Sequence, residues 1–150
     1  MANLAENRKA HFDYDILETF HAGIVLLGQE VKSIKLGRMQ LQGSYVVFKG
    51  NEVFLVGSTV PPYQPKNTPE SYNSERSRKL LLQKREISYL TGKSKEGGLT
   101  LIPLKVYTGK RGTIKLEFGL ARGRKTKDKR EELKKRETRR EIERAFKQNA

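Results

Sequence analysis

The residues best equipped for chemistry cluster near the start of the chain. Asn7, Arg8, Lys9, Ala10, His11, Phe12, Asp13 and Tyr14 interleave cationic, amide and aromatic groups within eight positions. Arg8 and Lys9 suit phosphate oxygens, and His11 or Tyr14 suits stacking on an unpaired base, the two devices by which proteins hold single-stranded RNA. Phe12 is read as a core-facing strand residue, whereas Tyr14 would serve equally in the core or against a base. Two further basic clusters stand at Arg76-Ser77-Arg78-Lys79 and Arg122-Gly123-Arg124-Lys125. Each could be a solvated face, but cations recurring beside loops make a phosphate footprint that fixes position without reading base identity.

Catalysis lacks its residues. With no cysteine the chain has no thiol nucleophile, disulfide or Cys-based zinc site, and two histidines, His11 and His21, are too few for a His-rich metal site. There is no G-x-S-x-G elbow. Most acidic residues neighbour basic ones, as Glu30 does Lys32 and Glu86 does Arg85, which is the pattern of ion pairs and not of paired catalytic carboxylates. Gly109-Lys110-Arg111-Gly112-Thr113 lacks phosphate-loop spacing and joins two strands instead of opening a helix. No catalytic residue, metal or cofactor is expected.

Charge points to the partner. Thirty-one Lys and Arg against 17 Asp and Glu give +14 and a pI near 10.1, an excess that repels itself in a compact chain and suits a polyanion. No run approaches the roughly 18 apolar residues of a membrane span, and residues 1–9 lack a signal peptide's apolar core. The expectation is a cytoplasmic, monomeric, RNA-binding protein that meets no membrane.

The elements that must position these groups fall into two parts. Residues 1–120 carry 18 basic and 11 acidic residues, and 121–150 carry 13 and 6, so each part holds +7 while the second is four times shorter. In the first part Phe12, Tyr14, Ile16, Glu18 and Phe20 alternate with mostly polar neighbours, predicting a strand. Gly43–Lys49 and Glu52–Gly57 around Gly50-Asn51 predict a hairpin. Leu99–Tyr107 and Thr113–Ala121 predict a second, with Ile114, Leu116, Phe118 and Leu120 turned to the core. Short helices are expected over Gln29–Leu36, ended by Gly37, and Gln83–Thr91, ended by Gly92. Residues 59–77, with four prolines, read as a long loop. The fold class is mainly β: an OB-like closed barrel over 1–120 with two or three short helices.

The last thirty residues form a basic C-terminal tail. Glu131–Lys135, Glu132–Arg136 and Glu143–Lys147 are acid-before-base pairs four apart, which favour helix. Leu133 and Ile142 are nine apart and fall on opposite helix faces, so no apolar stripe exists to pack on a core. The tail is expected to be disordered when free and helical when bound.

Six tracts, in order, resemble one family, the SsrA-binding proteins of bacterial trans-translation. They are Asn7-Arg8-Lys9-Ala10, Gly28 to Gly37 with its Gly-x-Glu-Val-Lys-Ser core, Gly43-Ser44-Tyr45-Val46, Arg78 to Ile87, Gly123-Arg124-Lys125 and Asp128-Lys129-Arg130. The resemblance covers nearly the whole chain. It implies an OB-like barrel that binds the tRNA-like domain of tmRNA and replaces an anticodon arm. It also implies a tail that enters the empty mRNA channel of a stalled ribosome, so that alanyl-tmRNA is accepted and the nascent chain tagged. Elongation factor Tu would be an indirect partner through alanyl-tmRNA, and the small-subunit decoding region a direct one.

By the same resemblance, Asn7, Arg8, Lys9, Glu30, Lys32 and Lys35 match barrel positions, to which the basic and aromatic stretches add His11, Tyr14, Arg78 and Lys79. Gly123, Arg124, Lys125, Asp128, Lys129 and Arg130 match tail positions, with Arg122 and Lys127 beside them. Glu30 would orient Lys or Arg partners, or accept from a base or 2′-OH. Lys127 stands where the family often has His or Tyr before Asp-Lys-Arg, so a phosphate contact replaces stacking there. The rival readings are an OB-fold ribosomal or initiation-type protein, which lacks the six tracts, and an RNA-processing enzyme, which lacks a carboxylate cluster.

Overall fold

The structure is a computed structural model and describes residues 2–124, 133–134 and 136–144. Seven antiparallel strands and three short helices make up residues 2–124: β1 (Asn3–Glu6), α1 (Arg8–Asp13), β2 (Tyr14–Ile24), α2 (Gly28–Lys35), β3 (Tyr45–Lys49), β4 (Glu52–Val56), β5 (Arg78–Leu81), α3 (Lys84–Ser94), β6 (Leu99–Thr108) and β7 (Ile114–Gly123). The strand order is β1-β6-β3-β4-β5-β2-β7, and β6 also pairs with β7.

Both predicted hairpins are present. β3 and β4 pair from Tyr45↔Val56 to Lys49↔Glu52 around Gly50-Asn51, where Gly50 takes the positive φ (63°) that such turns demand. β6 and β7 pair from Leu99↔Arg122 to Thr108↔Ile114. The alternation in β7 holds, with Ile114, Leu116, Phe118 and Leu120 all buried. They meet Val53, Leu55, Leu80 and Val106 in the main core, which Ile34 of α2 and Leu90 of α3 close from outside the sheet.

Helix α2 ends as predicted, at Gly37 (φ 77°), whose N–H donates to the Ile34 carbonyl at 2.8 Å. Helix α3 passes through Gly92, which is not in the left-handed region and breaks nothing. The long loop 59–77 is pinned by hydrogen bonds from Arg78 and Tyr72 and is not a free excursion.

Three features depart from the sequence expectation. Residues 8–13, whose Phe12 was read as the first residue of a strand, form helix α1, because Ala10 packs into a small second core with Ile102, Leu104 and Ala121. β1 and β5 were not expected: four residues each are too short for periodicity, and their neighbours in the sheet define them. β7 runs through Arg122 and Gly123, two residues beyond the expected start of the tail, pairing them with Asp15 and Tyr14.

In the described part of the tail, 133–134 and 136–144 are helical and exposed. Leu133 and Ile142 are both exposed, as a helix without an apolar stripe requires.

Candidate nucleic-acid interface

β2 is eleven residues long, so its ends lie about 30 Å apart. Each end carries a different set of candidate RNA-binding side chains.

At the far end, where Gly23 pairs with Leu81 of β5, a groove of about 840 Å³ opens between β2, β5 and the first turn of α3. Strand alternation shapes it. In Arg78-Lys79-Leu80-Leu81 the first and third side chains point inward, so Lys79 and Leu81 point out. Leu81 is 55% exposed although it is a large aliphatic residue. Gly23 has no side chain to cover it. Lys79, Lys84, Lys115 and His21 stand around this apolar floor. Lys84 sits in the first turn of α3, where a cation opposes the helix dipole. A second cleft, sharing Gly23, Leu81 and Lys115, extends past Val31 to Gly112. There Lys35 Nζ lies 3.6 Å from where a Gly112 Cβ would stand, and Lys32 Nζ lies 5.6 Å over the Tyr63 ring. Lys32 and Lys35 are both exposed, as expected.

Beneath α2 lies the ionic centre that holds this surface in place. The Glu30 carboxylate has no exposed surface. It accepts from the Leu27 N–H (2.9 Å), Tyr72 Oη (3.1 Å), Arg78 Nε (2.9 Å) and Nη2 (2.7 Å), and both Nε and Nη2 of Arg76. Burial alone would raise its pKa. The hydrogen bonds from Arg76, the Leu27 amide and Arg78 outweigh burial and hold the group below the usual carboxylate range. The remaining donors of Arg78 go to Ser58 Oγ and to the Ser74 and Arg76 carbonyls.

Arg78 was expected among the phosphate contacts, and the structure turns it inward. It is fully buried, and its partners are carbonyls, a hydroxyl and Glu30. Glu30 takes the first of its two expected roles, orienting arginines. Of that basic cluster, Lys79 faces outward, 3.4 Å from Glu52.

At the near end of β2, helix α1 presents Arg8, Lys9 and His11 to solvent. Asn7 is buried: its Nδ2 donates to the Pro103 carbonyl (2.9 Å) and its N–H to the Leu104 carbonyl (2.8 Å). It anchors α1 to β6. Phe12 is half-buried, with the Arg136 guanidinium of the tail 5.6 Å over its ring. Tyr14 lines a polar cleft of about 240 Å³ with Asn7, Lys9, Ser44 and Tyr45. Burial first, then the hydrogen bond with Tyr45, raises the Tyr14 hydroxyl above its ordinary pKa.

The tail leaves from this same end. Arg124 N–H donates to the Asp13 carbonyl (2.9 Å), and its Nε to Asp15 Oδ1 (3.0 Å). Arg122 and Gly123 are exposed at the end of β7. Lys125, Lys127, Asp128, Lys129 and Arg130 lie outside the described residues.

Sequence reasoning had only the opposed helix dipole to suggest a partner for Lys84, and it missed Leu81 and Lys115 as site residues, although the Arg78-Lys79-Leu80-Leu81 alternation carried a signal. A buried Arg and Leu imply an exposed Lys and Leu. Among the described residues no group of three or more His, Asp and Glu could hold a metal ion, and no helix is long and apolar enough to cross a membrane.

Comparison with known proteins covers nearly the whole chain. The family model described as SmpB protein matches residues 4–148. The SsrA-binding protein of Thermosynechococcus vestitus is 48% identical over 145 residues, 97% of this chain and 95% of that one. That of Syntrophobacter fumaroxidans is 53% identical over 144 residues, covering 94% and 86%. A solved chain described as "tmRNA-SmpB: a journey to the center of the bacterial ribosome" superposes with a TM-score of 0.70 at 44% identity, over 88% of this chain and 95% of that one. A match that spans the body and the tail together shows that the chain belongs to the SmpB family of SsrA-binding proteins.

Proposed function

We propose that the chain binds the tRNA-like domain of tmRNA and delivers it to stalled ribosomes in trans-translation, acting by docking and not by catalysis. The observation that carries this reading is the separation of two candidate RNA surfaces by the length of β2. A protein that joins two RNAs needs two such surfaces. The Leu81 groove with Lys32, Lys35, Lys79, Lys84 and Lys115 combines an apolar floor with cations, which suits a folded RNA with unpaired bases at its corner. The α1 end, with Arg8, Lys9, His11 and Tyr14, is continuous with the tail and faces the ribosomal decoding region.

The strand pairings that return on themselves support an OB-like closed barrel, which stands where a tRNA would have its anticodon arm. The tail, through Arg122, Gly123, Arg124, Lys125, Lys127, Asp128, Lys129 and Arg130, is disordered in the free chain, probes the empty mRNA channel and becomes helical there. The protein works as a cytoplasmic monomer, meeting elongation factor Tu indirectly through alanyl-tmRNA.

The test is a titration of the full chain with a tRNA-like tmRNA fragment, in the presence of competitor tRNA, at two salt concentrations. Tight binding that survives the competitor supports the assignment. Loss to competitor with a steep salt dependence leaves a generic basic barrel and favours a ribosomal-protein role.

A further inference from the structure

The ladder between β2 and β7 ends in charged residues where the tail begins. Tyr14 pairs with Gly123 and Asp15 with Arg122. One step further, the Arg124 N–H still donates to the Asp13 carbonyl at 2.9 Å. Directly paired residues of a ladder share a face, and so do residues two apart on one strand, which sets Asp15 beside Arg122 and diagonal to Arg124. Across that diagonal Arg124 Nε donates to Asp15 Oδ1 at 3.0 Å.

Two observations separate Arg124 from the other cations of this end. Its side chain is only 21% exposed, whereas that of Arg8, on α1, keeps 91% of its surface in solvent. Arg124 is laid along the strands, and Arg8 is held out where a phosphate could meet it. The second observation is the carboxylate itself. At an end that offers Arg8, Lys9 and His11 to RNA, a bare Asp15 would repel phosphate, and holding an arginine of the chain is what accounts for it. The ion pair and the last backbone bond flank the same residue, so each resists fraying of the other at a strand end, where local opening is otherwise easiest.

We propose that Asp15 and Arg124 form a latch that fixes the point at which the tail leaves the body. Arg124 is then a positioning residue of the tail and not one of its phosphate contacts. The inference rests on the reading that the tail works in the mRNA channel of the ribosome. A root held at one point keeps the tail concentrated near its channel once the body has docked. Each residue that frays lengthens the flexible tether and dilutes it.

The experiment compares peptide tagging on stalled ribosomes with affinity for the tRNA-like fragment, in the full chain carrying Asp15→Ala, Arg124→Gln, or the exchanged pair Asp15→Arg with Arg124→Asp. Loss of one partly exposed ion pair predicts tagging about two- to fivefold slower in each single variant, with fragment affinity and melting temperature unchanged. The exchanged pair should recover wild-type tagging. A phosphate contact by Arg124 predicts the reverse order: Asp15→Ala tags at least as well as the wild type, and the exchanged pair is the slowest because a carboxylate replaces the contacting cation. Either of those results overturns the proposal. A second readout follows the root directly. The chain has no cysteine, so a single nitroxide on Lys125→Cys reports the motion there, and its spectrum should narrow when Asp15→Ala is added. An unchanged spectrum also overturns the latch. Failure of the wild type to tag at all would instead remove the reading of the tail, and the nitroxide would then decide the latch alone.

Discussion

Glu30 Oε2 accepts a 2.7 Å hydrogen bond from Arg78 Nη2 across 48 positions of sequence, and neither side chain has any exposed surface. The pair ties the first turn of α2 to the start of β5, and Arg76 and Tyr72 bring the long loop to the same carboxylate. Breaking such a pair leaves one charge buried without its counterion, a cost well above what an exposed ion pair contributes.

Arg78→Ala should therefore lower the unfolding free energy by about 3–5 kcal/mol. Lys79→Ala, next to it but exposed, should change it by no more than about 0.5 kcal/mol. Urea denaturation of the two variants compares them directly, and equal losses would contradict the buried role of Arg78.

Acid should expose the same centre. Glu30 has a folded pKa below its unfolded value of about 4.3. Its contribution to stability is thus complete above that value and is lost as pH falls through the folded pKa. The urea midpoint should drop more steeply below about pH 5 in the wild type than in Glu30→Gln. Parallel curves would mean that Glu30 is not the group responsible.

The groove separates charge from apolar contact. Lys32→Ala with Lys35→Ala should weaken binding to the tRNA-like fragment and reduce the salt slope by about 1.4–1.8. Leu81→Ala should weaken binding about three- to tenfold with the slope unchanged, as loss of apolar area predicts. Glu30→Ala should also weaken binding at constant slope, because it misplaces α2 without removing a phosphate contact. Unchanged affinity in all three would move the RNA to another face.

β7 carries the body past Ala121, where the tail was expected to begin. Ala121 is fully buried, Arg122 and Gly123 pair with β2, and Arg124 bonds Asp13 and Asp15. Truncation after Arg124 should leave binding to the tmRNA fragment intact and abolish peptide tagging on stalled ribosomes. Truncation after Leu120 should in addition lower the melting temperature. A large loss of tmRNA affinity in the first truncation would overturn the division of labour.

Much of this was legible in residue order. Period-2 alternation marked β2 and β7, runs rich in Val, Phe and Tyr marked β3 and β4, and Gly50-Asn51 marked a turn. The charge count excluded most partners other than a polyanion. The spacing of Leu133 and Ile142 ruled out an apolar tail face, and both are exposed. These properties are local or additive, so they can be read without knowing which segments meet.

Tertiary structure decided the rest. A sequence shows that Arg78 and Lys79 are both cations but not that one is buried, since that follows from the inward phase of a four-residue strand set by its neighbours β4 and β2. Helix α1 exists because Ala10 finds Ile102, Leu104 and Ala121, residues more than ninety positions away. His21 acquires Tyr107 and Glu117 only when β2, β6 and β7 align in register. The amino-acid order by itself determined that this protein meets RNA with a β-rich body and a basic tail. Long-range pairing alone decided which cations reach the surface, because burial of a charge depends on the carboxylate that the fold brings to it.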